Sequence, residues 1–255
     1  MSGKKIIEDI KMPIIKHLIE LRTRLVRSAI MVGIAFSLAL YFTKDIIKIL
    51  KSPLKAELIF ISPAEAFWAT FKISFFTGLL FSLPVVLYEL WKFIAPGLKM
   101  NERKYGVIFV SSSFVLFVIG LIFCAYLILP FALSFLISYG LDVGMKPMIS
   151  AGNYIDFVLK FSIAFGLIFE LPLAMTILSK VGVIDPRKLS KHRKYAVLLA
   201  FLVAAILTPT PDIFNQILMA IPIIILFELG LISARIFGKK REEEGVTPKT
   251  AKEGA

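Results

Sequence analysis

The sequence predicts an all-α polytopic membrane protein with six membrane-spanning helices. Hydrophobic residues make up 58% of the 255 residues, and the mean hydropathy is +0.83. Several apolar runs reach about 18 residues, which is enough to cross roughly 30 Å of hydrocarbon. The basic residues are grouped between these runs. The predicted spans are residues 25–42, 66–91, 105–135, 155–180, 195–208 and 214–234.

The distribution of basic residues predicts the orientation of these spans. Most of the 30 Lys and Arg residues lie in the N-terminal segment, the second and fourth connections and the C-terminal tail. Because positively charged loops stay in the cytoplasm, we expect a multi-pass protein of the cytoplasmic (inner) membrane with both termini in the cytoplasm. This orientation accounts for the net charge of +12 without a nucleic-acid partner.

The chain reads as a single membrane domain covering residues 1–255. No segment is rich enough in Gly or Ser to separate two domains, and no internal repeat is evident. The start of the chain is too charged for a cleaved secretory signal, so we expect it to be retained. Residues 238–255 are charged and poor in apolar side chains, which predicts a disordered cytoplasmic tail.

Proline is expected to shape the bundle, because it removes a backbone donor and displaces the carbonyl four residues earlier. Pro84, Pro130, Pro172 and Pro222 all lie inside apolar segments, which predicts kinked helices around a concave surface. The fifth and sixth spans are also predicted to be short. Their apolar stretches amount to about 20 Å and about 17 Å at 1.5 Å per residue.

The stretch "MPIIKHLIELRTRL" predicts an amphipathic helix that leads into the first span. Its polar face presents His17, Glu20 and Arg24 at three- and four-residue spacing, with Arg22 beside them. A local Glu20–Arg24 helix pair is the plain structural alternative to a binding role.

The sequence contains no signature of an enzyme. It has no glycine-rich phosphate loop, no nucleophile elbow and no His-Glu-x-x-His sequence. His17 and His192 are far apart in the chain, so we predict neither a metal site nor a cofactor.

Glu170 is an isolated acid within the apolar run from Phe161 to Leu178. An ionised carboxylate at mid-membrane costs several kcal/mol, so this side chain should face protein, water or a partner. One interpretation is a protonated acid that hydrogen-bonds a neighbouring helix of the same chain. The other is a functional polar site, for a partner subunit or for a transported proton or ion.

Glu102 is a second acid in a strongly basic surface, in "GLKMNERKYG". It follows a candidate N-cap, Asn101, so a first-turn acid favoured by the helix dipole is one interpretation. Together with Glu20 it could instead accept two guanidinium groups bidentately, which a lysine would match less well.

Four segments resemble the TatC family, the membrane core of the twin-arginine protein translocase. They appear in family order, and with the six-span topology the resemblance covers essentially the whole chain. The segments are "HLIELRTRL" (17–25), "WKFIAPGLKMNERK" (91–104), "FGLIFELP" (165–172) and "LTPTPDIFNQILMAIP" (207–222).

The resemblance implies roles for individual residues. Recognition of the signal peptide is implied for the residues that match the two cytoplasmic motifs: Glu20, Arg22, Phe93, Pro96, Leu98, Glu102 and Arg103. Contact with a partner's membrane helix is implied for Glu170 and Gln216. A role in assembly is implied for Pro53 and Asp212.

The resemblance therefore implies a receptor and scaffold. Such a subunit would bind twin-arginine signal peptides of folded precursors and recruit single-span TatA and TatB subunits and further copies of itself. Transport would be driven by the proton motive force. Two other interpretations are a secondary transporter with Glu170 as its proton or ion site, and a purely structural membrane anchor.

Overall fold

The computed structural model describes residues 3–52, 54, 57–95, 106–208 and 212–237. Nearly all of these residues are helical, which confirms the predicted fold class. The helices are α1 (Gly3–Lys51), α2 (Pro63–Ile94), α3 (Gly106–Phe123), α4 (Leu129–Asp142), α5 (Ala151–Phe169), α6 (Leu171–Val181), α7 (Pro186–Lys191), α8 (Arg193–Leu207) and α9 (Ile213–Phe237). A π-helical turn, Cys124–Ile128, joins α3 to α4.

The predicted amphipathic helix and the first span form one continuous helix, α1, of 49 residues. It packs along α2, and Gly78 of α2 makes that approach possible. A Cβ at Gly78 would lie 2.6 Å from the backbone Cα of Phe36. Further along, the hydroxyl groups of Thr43 and Ser74 lie 2.6 Å apart in a buried hydrogen bond between the two helices.

Two of the four prolines coincide with interruptions of an α-helix. Pro130 follows the π-helical turn, in which the Leu129 N–H donates to the Cys124 carbonyl five residues earlier. Pro172 follows Glu170, where α5 ends and α6 begins. Pro84 and Pro222 lie inside continuous helices, so their removal of one donor does not end α2 or α9.

Helix length confirms a short fifth span and corrects the predicted short sixth span. Helix α8 has 15 residues. It therefore extends only about 22 Å at 1.5 Å per residue. Helix α9 has 25 residues and is apolar enough to cross a membrane. It continues through Gln216 and Glu228 because both polar side chains find partners on α8: Gln216 donates to the Phe201 carbonyl over 3.1 Å, and Glu228 pairs with Arg193 at 2.8 Å.

The long apolar helices agree with most of the predicted spans. Within the described residues, five helical segments have the length and hydropathy to cross a membrane. They are Ile15–Lys51, Pro63–Phe93, Gly106–Asp142, Ala151–Lys180 and Ile213–Phe237. The predicted fifth span corresponds to α8, which is too short to be counted with them.

Helix α5 lies at the centre of the core. Its fully buried side chains include Phe161 and Phe165, which pack in one cluster with Ile73 of α2 and Met219 of α9. Near the start of α5, two short strands pair in parallel, with Leu58 opposite Ile149 and Ile59 opposite Ser150. The hydropathy pattern did not predict this small sheet, because two-residue strands carry no periodicity.

Candidate functional site

The polar faces of α1 and α2 meet in a group of charged side chains that we call the arginine cluster: Glu20 and Arg24 on α1 and Glu89 on α2. Arg24 donates from Nε to Glu20 Oε1 over 3.1 Å, and its Nη2 contacts the same oxygen. Its Nη1 donates to Glu89 Oε2 over 3.2 Å. One guanidinium therefore joins two carboxylates, and the local Glu20–Arg24 pair foreseen as the structural alternative is present.

Burial separates the two acids of the arginine cluster. The side chain of Glu89 is 10% exposed, that of Arg24 is 17% exposed and that of Glu20 is 36% exposed. Glu20 Oε2 lies 3.8 Å from His17 Nδ1, which is longer than an ordinary hydrogen bond. A carboxylate has about four acceptor positions, so Glu20 retains the capacity to accept a further donor.

An aromatic contact extends the arginine cluster toward the end of α2. The rings of His17 and Phe93 stack with centroids 4.2 Å apart and an interplanar angle of 14°. His17 therefore lies between Phe93 and Glu20. Arg22 is exposed on α1, two residues after Glu20 and therefore on a different face of the helix.

Several predicted site residues lie outside the described residues. These are Pro53 in the connection after α1, and Pro96, Leu98, Glu102 and Arg103 in the connection after α2. The predicted disordered tail, residues 238–255, also lies outside them.

Glu170 occupies the break between α5 and α6. Its backbone N–H donates to the Leu167 carbonyl over 3.1 Å, and its own carbonyl accepts from Ala174 over 2.9 Å. The buried hydroxyl of Ser113 on α3 interacts with the carboxyl group. The carboxyl oxygen Oε1 is buried and accepts no hydrogen bond from the described residues. Glu170 is thus only partly satisfied within this chain.

Gln216 and Asp212 lie at the start of α9. Among the described residues, no hydrogen bond joins either of them to Glu170. Gln216 is half-buried, and its side-chain amide donates one hydrogen bond to the Phe201 carbonyl of α8. Asp212 accepts from the Asn215 backbone N–H over 2.7 Å and from the Asn215 side-chain amide over 2.9 Å. These bonds make Asp212 the cap of α9. Asn215 is fully buried, and its Oδ1 has no hydrogen-bond donor among the described residues.

The sequence reasoning missed Glu89, which it included in the second span without comment. A signal was available, since an acid near the end of an apolar span needs a cation and Arg24 lies on the polar face of the preceding helix. The pairing itself required the relative rotation of α1 and α2, which hydropathy does not encode.

A polar cavity with a volume of about 490 Å³ lies near the small sheet, and the sequence patterns did not predict it. There Lys72 of α2 pairs with Asp156 of α5 at 2.6 Å. Glu65 accepts from the Gly152 backbone N–H over 2.6 Å and from the Ser150 hydroxyl, which ties the start of α2 to the start of α5.

Comparison with known proteins identifies the family. The family model described as "Sec-independent protein translocase protein (TatC)" matches residues 16–222. Sec-independent protein translocase proteins TatC are similar over nearly the whole chain. The protein from Desulforapulum autotrophicum is 40% identical over 93% of this chain and 89% of its own length. That from Aquifex aeolicus is 39% identical (91% and 98%), and that from Escherichia coli is 38% identical (93% and 94%).

Solved structures agree with this match. A crystal structure described as the twin arginine translocase receptor TatC is similar with a TM-score of 0.77 and 38% identity, covering 86% of this chain and 98% of that one. A second, of TatC in DDM, has a TM-score of 0.77 and 40% identity, covering 85% and 98%. The chain therefore belongs to the TatC family of Sec-independent protein translocase proteins.

Proposed function

We propose that this translocase subunit is the receptor that binds twin-arginine signal peptides of folded precursors. The observation that carries this proposal is the arginine cluster, where two acids already bind a guanidinium. Glu20 Oε1 accepts from Nε of Arg24 and also contacts its Nη2, so this carboxylate already acts as a guanidinium acceptor. The same carboxylate, at 36% exposure, is open to an incoming guanidinium.

The residues around Glu20 complete the proposed signal-peptide site. Phe93 reaches it through His17, and the segment that follows Phe93 in the chain contains Pro96, Leu98, Glu102 and Arg103. In this proposal Glu102 is the second guanidinium acceptor. Arg22 is exposed on the same helix, α1, and in this proposal it contacts the peptide backbone or its acidic groups.

A second proposed role is recruitment of single-span TatA- and TatB-type subunits. The buried, unbonded Oε1 of Glu170 would accept a hydrogen bond from a polar side chain on a partner's helix. The half-buried amide of Gln216, which donates once to the Phe201 carbonyl, would serve the same purpose. Interhelical bonds of this kind contribute about 0.5–2 kcal/mol, which suits reversible assembly.

The remaining proposals concern assembly and energy. Pro53 and Asp212 would support the connections through which further copies of the chain associate, Asp212 by holding the start of α9. The complex would work in the cytoplasmic membrane with both termini in the cytoplasm, and transport would use the proton motive force. Membership of a translocase family does not favour the alternative of a secondary transporter with Glu170 as an ion site.

The test of the receptor role is binding of a signal peptide that carries Arg-Arg, compared with its Lys-Lys version, to the purified full chain in detergent. We expect the Arg-Arg peptide to bind more tightly, and Glu20→Gln to weaken it. Asp45→Asn is the matched control, because Asp45 also pairs with a cation on α1, Lys48, at 3.3 Å. Equal affinity for both peptides, or the same loss from Asp45→Asn as from Glu20→Gln, would refute the receptor proposal.

A further inference from the structure

We infer that Arg24 is a built-in competitor for the acid that receives the signal peptide, and that Glu89 holds Arg24 while that acid is in use. The inference rests on the proposed function and concerns its regulation. In the unoccupied protein, Arg24 takes the place of a ligand guanidinium on Glu20. When a peptide arginine binds Glu20, Arg24 keeps its bond to Glu89.

The geometry of Arg24 allows this exchange without a change of fold. Its Nε and Nη2 face Glu20 Oε1 on its own helix, whereas Nη1 faces Glu89 Oε2 on α2. The contacts to the two acids are made by different nitrogen atoms. Arg24 can therefore lose its contacts to Glu20 by a side-chain rotation while Nη1 stays with Glu89.

Burial sets the direction of the exchange. Glu89 is only 10% exposed, and a buried carboxylate that loses its cation is strongly destabilising. Glu20 is 36% exposed, and partly exposed pairs contribute little and are easily replaced. Of the two bonds of Arg24, the bond to Glu20 is the one that an incoming guanidinium breaks.

The charges favour a cationic ligand even with Arg24 in place. Glu20, Glu89 and Arg24 together carry a formal charge of −1, so the cluster attracts one further cation. Competition from Arg24 lowers the affinity for every cationic ligand by the same factor. It therefore sets how readily a peptide is released, and it leaves the preference for arginine over lysine unchanged.

The test compares signal-peptide affinity among variants of the purified full chain, with Arg-Arg and Lys-Lys peptides as probes. Glu89→Gln should weaken Arg-Arg binding by about two- to five-fold, because Arg24 then bonds Glu20 alone. The double variant Arg24→Gln/Glu89→Gln removes the buried acid together with its cation and leaves Glu20 free. It should bind about two- to five-fold more tightly than the unsubstituted protein.

The inference predicts weaker peptide binding for Glu89→Gln and tighter binding for the double variant. A direct contact between Glu89 and the peptide, or a purely structural role of the pair, would not change the affinity in opposite directions. If both variants weaken binding, Glu89 contacts the peptide directly; if neither changes it, the pair is only structural. Either result overturns the inference, as does a change in the ratio of Arg-Arg to Lys-Lys affinity. If the double variant does not fold, Arg24→Lys is used instead, because one ammonium cannot bind both acids as the planar guanidinium does. Peptide binding by Arg24→Lys that is no tighter than in the unsubstituted protein would then overturn the inference. Failure of the receptor proposal is distinct, since the unsubstituted protein would then bind both peptides equally.

Discussion

Replacing Glu170 should separate the stability of this chain from its association with a partner helix. Glu170 Oε1 is buried without a hydrogen-bond donor in the described residues. A buried polar group left unpaired costs about 1–3 kcal/mol. Glu170→Leu removes that group together with the interaction of the carboxyl with Ser113. We therefore expect the isolated protein to unfold at an unchanged or slightly higher temperature.

The same substitution should weaken association. A hydrogen bond between membrane helices contributes about 0.5–2 kcal/mol. Its loss corresponds to about a two- to thirty-fold rise in the dissociation constant for a single-span partner. Titration of a labelled partner into the reconstituted protein, followed by energy transfer, measures this change. Glu170→Gln should retain most of the affinity, because an amide keeps an acceptor and a donor at the same place.

Asp156→Asn provides the matched comparison for Glu170→Leu. It alters an acid on α5, the helix that ends just before Glu170, and this acid is already paired with Lys72 at 2.6 Å. It should leave the affinity for the partner unchanged. A lower unfolding temperature of Glu170→Leu together with an unchanged affinity for the partner would refute this role. Glu170 would then serve only the fold.

Two further substitutions and one double-mutant cycle test the packing that positions these sites. Tyr154→Phe removes a buried hydroxyl that donates to a carbonyl at the end of α1 over 2.6 Å, and should cost about 0.5–1.5 kcal/mol in unfolding experiments; no loss would mean that the bond has no net value. Gly120→Ala places a Cβ 2.6 Å from the Phe165 carbonyl oxygen, and should destabilise the protein by about 1–3 kcal/mol, whereas an unchanged unfolding curve would show that α3 and α5 separate freely. A double-mutant cycle on Lys72 and Asp156, both more than 40% exposed, should give a coupling energy below about 1 kcal/mol; a larger value would show that the pair is desolvated in the membrane.

The sequence predicted the helices well because the lipid bilayer imposes a strong, local rule on the chain. Each apolar run had to satisfy its own backbone, so the spans could be read from hydropathy alone. The sixth span shows the limit of that rule. Gln216 and Glu228 limit its strictly apolar part, but partners on α8 allow α9 to continue through both residues.

The candidate site was predicted less completely, because hydropathy does not record which side chains of different helices face each other. Glu20 and Glu170 stood out because each is a carboxylate in an unsuitable environment, which is visible in one dimension. The role of Arg24 was not visible, since it depends on Glu89 lying 65 residues away and facing α1. Hydropathy fixes which residues are helical, and it does not fix the rotation of one helix against the next.

The two polar sites share one physical design, in which an acid is left incompletely satisfied by its own chain. Glu170 Oε1 is buried without a donor among the described residues, and Glu20 Oε2 lies 3.8 Å from His17 Nδ1. A fully paired acid in either place would make the isolated subunit more stable, but it would leave nothing for a partner to bind. If the subunit is the proposed receptor, it binds a precursor and releases it, so interactions of about 0.5–2 kcal/mol are more useful than permanent ones. In the proposed exchange, Arg24 occupies Glu20 whenever no peptide does, so the acid has a cation beside it in both states.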